Sequence, residues 1–94
     1  MSKKVIIRTI NAGVFFGEIK SRKKDEVVIS NCRRLWFWSG AASLSQLATE
    51  GVKNPSNCKF TVIVKEMTIL GVIEIIPCTK RAIESINNVP IWKI

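Results

Sequence analysis

Histidine and tyrosine are absent from these 94 residues, and aspartate occurs once, at Asp25. Without histidine no Ser-His or Cys-His nucleophile can be assembled. The glutamates Glu18, Glu66, Glu74 and Glu84 are scattered, and no carboxylate pair has metal-ligand spacing. Cysteine is sparse and odd in number, at Cys32, Cys58 and Cys78, with no C-x-x-C pair. That excludes the usual zinc ligand sets and an even disulfide framework. The expectation is three reduced, mostly buried thiols and a cytoplasmic protein. Long hydrophobic runs are missing too. Runs such as Ile69 to Ile73 are far short of the roughly twenty residues a bilayer requires, so no membrane partner is expected. Met1-Ser2-Lys3-Lys4 leads into a short run broken by Arg8, which lacks the apolar core of a signal peptide. There are no internal repeats and no low-complexity segments. Together these absences argue for a protein that is not an enzyme and needs neither cofactor nor metal.

What the chain does have is charge and apolar surface at once. Fifteen Lys and Arg stand against seven Asp and Glu, a net of +8, while 47% of the residues are hydrophobic. A disordered basic tail would be poor in apolar residues, so a folded single domain spanning residues 1–94 is expected. The charge is uneven. Nine of the basic and three of the acidic residues fall in residues 1–34, which assigns the basic surface to the N-terminal third.

That third reads as antiparallel sheet. Val5 to Ile10 and Val14 to Ile19 are β-rich runs separated by the turn signal Asn11-Ala12-Gly13. Ser21 to Asp25 is a charged hairpin tip, followed by a strand from Glu26 to Ser30, a break at Asn31-Cys32, and a further strand from Arg33 to Trp38. Ser43 is an N-cap with Gln46 completing a capping box, and Gly51 ends the short helix that follows. Cys58 to Thr68 resumes as strand, with Phe60, Val62 and Val64 on one face. Gly71 marks a bend, and Val72 to Ile76 is a core strand stopped by Pro77. Thr79 caps a helix over Lys80 to Asn87, and Ile91 to Ile94 is an extended tail. The fold class expected is α+β: a small antiparallel meander or partly curled barrel of five to six strands with one or two short helices.

Strand alternation sets Arg34, Trp36 and Trp38 on one face and Arg33, Leu35 and Phe37 on the other. Each face then carries an arginine beside large apolar area. In the structural reading one face is core, the other is covered by a helix or second subunit, and the arginines cap the strand. In the functional reading the tryptophans stack a base while the arginines hold phosphate. The tip Lys20 to Lys24 is either a solvated hairpin or a source of non-specific attraction to phosphate. Asn11-Ala12-Gly13 with Gly17 fits a turn and a bulge better than an anion nest, because no helix begins there. Glu74 is expected on an exposed or interfacial face, paired with a basic neighbour.

Arg8-Thr9, Ala12-Gly13-Val14 with Gly17, Arg33-Arg34-Leu35-Trp36 with Trp38, and Ile73 to Cys78 together resemble a family of small uncharacterised proteins. Its members are encoded by tailed phages and prophages and are classed as a domain of unknown function. Gly40-Ala41, Ser43-Leu44, Leu47-Ala48, and Pro90 with Trp92 extend the resemblance over nearly the whole chain. It implies a phage-encoded protein in the infected bacterial cytoplasm, and it assigns no functional residue.

The function expected is a non-enzymatic binder of an anionic nucleotide-type ligand, one that could sequester a host immune signal nucleotide. Arg33, Arg34, Trp36 and Trp38 would be the contacts, with Arg8, Lys20 and Arg22 as electrostatic support. The alternatives are a DNA- or RNA-binding accessory protein and a protein-directed inhibitor of a host defence or phage structural partner. Trp and Arg are enriched at interface hot spots, so the same residues serve the last. A domain this small leaves apolar patches exposed, so a homo-oligomer is expected, with Trp92 as a docking or swapped anchor.

Overall fold

Val5, Ile6 and Ile7 are all buried in the computed structural model, which describes residues 3–94. Alternate residues of a strand point to opposite faces, so this strand, β1 (Lys4–Thr9), is covered on both sides. β2 (Val14–Lys23), β3 (Glu26–Phe37), β4 (Lys59–Ile69) and β5 (Val72–Pro77) complete an antiparallel sheet in the order β4-β3-β2-β1-β5. The first four strands form the expected meander of sequential neighbours. β5 pairs with β1, so the strand expected in the core lies at an edge. Two helices, α1 (Leu44–Glu50) and α2 (Lys80–Asn87), complete an α+β fold whose sheet is not closed.

One face is covered by the helices. Leu47 and Ala48 of α1 and Ile86 of α2 pack on Ile6, Phe16 and Leu35. The caps are where the sequence places them. Ser43 Oγ accepts from the Gln46 N–H, and Thr79 Oγ1 accepts from the Ala82 N–H. Gln46 Oε1 in turn accepts from the N–H of Ala42, one residue before the cap. The two helices meet at Gly51, where a side chain would run into Ser85.

The other face is buried by strand residues alone, among them Ile7, Phe15, Ile29 and Cys32. The sheet therefore covers itself. Val72 lies beside Thr9, at the Val14 end of β2, yet its N–H donates to the carbonyl of Asp25 beyond the far end of β2, at 3.0 Å. A straight ten-residue strand would hold its ends about 30 Å apart. The β2–β3 hairpin must bend back, and the register shows where. An extra residue enters β3 between Ser30 and Arg33, opposite Gly17, with Asn31 at φ 51°. A second irregularity falls between Ile19 and Ser21. A Cβ on Gly17 would sit 2.5 Å from Ile29 Cγ2, so only glycine allows the two strands this close approach.

These bulges correct the expected strand limits. Asn31-Cys32 does not break β3, because a bulge absorbs the extra residue within one continuous strand. The hairpin tip shrinks to Lys24-Asp25, since Ser21 to Lys23 pair with Glu26 to Val28. On β4 a register shift puts Phe60 opposite Leu35 and Ile63 opposite Arg33, so Phe60 does not share its face with Val62 and Val64.

Candidate ligand-binding face

Arg33 points toward the helices and is 3% exposed. Its Nε donates to the Thr61 carbonyl, Nη1 to that of Ile86, and Nη2 to those of Phe60, Val89 and Pro90, at 2.8–3.2 Å. The guanidinium ties β4 to the end of α2 and the tail, and a cation at a helix C-terminus is favoured by the helix dipole. Burial lowers its pKa from the ordinary value. The expectation that Arg33 contacts a ligand is corrected on this geometry, because its donors are taken by main-chain carbonyls inside the fold.

Arg34 takes the opposite face. It is half-buried, with its guanidinium 4.8 Å from the ring centre of Phe15, its cross-strand neighbour. Trp38 is partly buried against the helix-side core. The expected electrostatic support is engaged elsewhere. Arg8 Nε lies 3.1 Å from Glu74, the basic neighbour expected for that carboxylate, and Lys20 Nζ lies 2.6 Å from Glu66. The Lys20 hydrogen bond and charge hold the Glu66 carboxyl below its ordinary pKa. Arg22 lines an open cleft of about 240 Å³ with Val72, Ile73, Glu74 and Ile75.

Trp36 remains, and its surroundings are aromatic. A register shift between Leu35 and Phe37 leaves it without the regular alternation, and it is 61% exposed. Trp92 stacks on it with ring centres 6.3 Å apart and planes 17° off parallel. The tail reaches this position because its Ile91 bridges to Phe60 and its Trp92 N–H donates to the Phe60 carbonyl at 2.8 Å. The residue that the sequence marks as a docking anchor thus docks on its own chain. Lys59, opposite Phe37 in the sheet, sets its ammonium 5.5 Å from the Trp92 ring centre. Phe37 and Ile91, their neighbours in the chain, are exposed as well. Of the seven residues expected in the site, only Trp36 belongs to this cluster, which adds Trp92 and Lys59. Sequence reasoning misses Lys59 because nothing local pairs a residue at the start of β4 with one in the tail.

All three cysteines are free, with Cys32 and Cys58 buried as expected. Among the described residues no group of three or more His, Cys, Asp or Glu stands close enough to hold a metal ion. No helix among them is long and apolar enough to cross a membrane. A family model described as Domain of unknown function (DUF6948) matches residues 2–86, and the chain belongs to that family. No curated protein and no solved structure matches the chain.

Proposed function

We propose that this member of the DUF6948 family is a non-enzymatic binding protein that takes an anionic, nucleotide-type ligand on its paired tryptophans. The observation that carries the reading is the exposed Trp36–Trp92 stack with the Lys59 ammonium beside it. An exposed indole face offers a platform for a base, and an adjacent ammonium offers a counter-charge for phosphate. The resemblance to phage and prophage proteins supports placing it in an infected bacterial cytoplasm, where binding would sequester a host signal nucleotide. The lack of histidine and the scattered carboxylates support binding without turnover.

Titration with cyclic and linear nucleotides, followed by tryptophan fluorescence and thermal shift, tests this. Quenching with a raised melting temperature is expected. Stacking contributes about 1–3 kcal/mol per base, so Trp36→Ala or Trp92→Ala should weaken binding roughly 5- to 150-fold. No response to any nucleotide from a folded protein would sink the reading. Retardation of DNA or RNA that weakens steeply with salt would move it to nucleic acid.

A protein-directed role is the second reading, favoured by Phe37 and Ile91, the exposed chain neighbours of the two tryptophans. Exposed aromatic and apolar side chains suit a protein hot spot. It would show as a stoichiometric complex recovered from infected cells and lost with Trp36→Ala.

A further inference from the structure

The outer side of β4 is the sheet's longest unpaired edge. The tail covers it only at Phe60, through the Ile91 bridge and the Trp92 N–H. From Thr61 onward no strand lies beside it among the described residues. Long edge strands are usually guarded by proline, charged side chains, bulges or a covering element, because their free N–H and C=O groups recruit other strands. β4 has no proline, its charges Lys59, Lys65 and Glu66 lie to either side of the centre, and the centre carries three successive exposed apolar residues: Val62 at 44%, Ile63 at 55% and Val64 at 37%. Apolar side chains therefore stand on both faces of an open edge.

We infer that this edge pairs with a second copy of the chain, antiparallel, about a two-fold axis through Ile63. The strand's own charges select that register. With the axis at Ile63, Val62 meets the partner's Val64, Ile63 meets itself, and Thr61 meets the partner's Lys65. Every apolar residue of the triplet then faces an apolar one, and no like charges oppose. Moving the axis to Val62 sets Lys59 against the partner's Lys65. Placing it at Val64 sets Ile63 against Lys65 and Val62 against Glu66, and placing it at Lys65 opposes two lysines. The Ile63 register also needs only residues 61 to 65, so it begins where the tail's cover ends. The two five-stranded sheets would join into one of ten strands.

The inference is independent of the ligand reading, and salt separates the two. Each copy carries +8, so association of like-charged copies should tighten with added salt as repulsion is screened. Nucleotide or nucleic-acid binding should weaken.

Sedimentation velocity from micromolar to several hundred micromolar protein tests the dimer, and a concentration-dependent dimer is expected. Ile63→Lys sets like charges across the axis at an exposed position. It should weaken association at least tenfold, with the far-ultraviolet circular dichroism unchanged. Directly opposed residues lie about 5 Å apart between Cα atoms, within disulfide reach. Ile63→Cys should therefore form a covalent dimer under mild oxidation, and Lys65→Cys should not. A wild-type monomer at every concentration overturns the inference, as does an Ile63→Lys protein that still dimerises like the wild type. Equally, a monomer that adds an extended peptide along β4 would assign the edge to a peptide.

Discussion

Arg33 illustrates how one side chain can be read two ways until its neighbours are known. Beside tryptophan in a basic protein it looks like a phosphate ligand, yet in the fold it serves five carbonyls from β4, α2 and the tail. Removing it takes the guanidinium donor from the Thr61, Val89 and Pro90 carbonyls, while those of Phe60 and Ile86 keep the N–H groups of Trp92 and Val89, so Arg33→Ala should lower the unfolding free energy by about 3 kcal/mol. Arg33→Lys should recover only part of this, since an ammonium lacks the planar fork that reaches several acceptors at once. Urea unfolding of the three proteins measures both effects. Wild-type midpoints in both variants would show that these carbonyls need no guanidinium. The sequence could not decide the matter, because the acceptors lie 27 to 57 positions downstream.

Elements defined by local chemistry were the most legible. Ser43, Thr79, Pro77 and Gly71 mark their helix starts, strand end and bend from the sequence, because each acts within a few residues of itself. The bulges were not legible, since an extra residue in one strand is defined only against its partner. Their effect is large. The Gly17 and Asn31 bend folds the hairpin over its own strands and buries Ile29 against Phe15. Gly17→Ala must push Ile29 and the Ser30 carbonyl aside. A loss of roughly 1–3 kcal/mol is expected, read as an earlier urea midpoint. An unchanged midpoint would mean that the bend yields. The register shifts near Leu35 likewise explain why alternation grouped Trp38 with Arg34 although it packs on the helix-side core, leaving the candidate site legible as a segment but not as a constellation.

At the scale of the molecule, stability should depend on pH through the thiols of Cys32 and Cys78. Burial pushes the Cys32 thiol up to about 11, against a smaller pull from Arg34, and burial alone pushes Cys78 up to about 11. In the unfolded chain these thiols ionise near their ordinary value of 9.0. Between about pH 9 and pH 11 the unfolded state has therefore lost protons that the folded state keeps. Stability should fall as pH rises through that window. Thermal melts across it should show a declining midpoint, less steep for Cys32→Ala and Cys78→Ala. Equal slopes in wild type and variants would assign the decline to other groups.

The strand order also has a consequence for synthesis. β1 is the first strand made, but the neighbour on its open side, β5, comes from residues 72 to 77. The carbonyls of Ile86, Val89 and Pro90 that Arg33 requires come later still. A nascent chain still threaded through the ribosome with those residues inside it holds a bare strand edge and an unmatched cation. Neither can settle until residues 72 to 90 have emerged, so the first strands made stay dependent on whatever guards exposed strands in the cell until that later segment joins them.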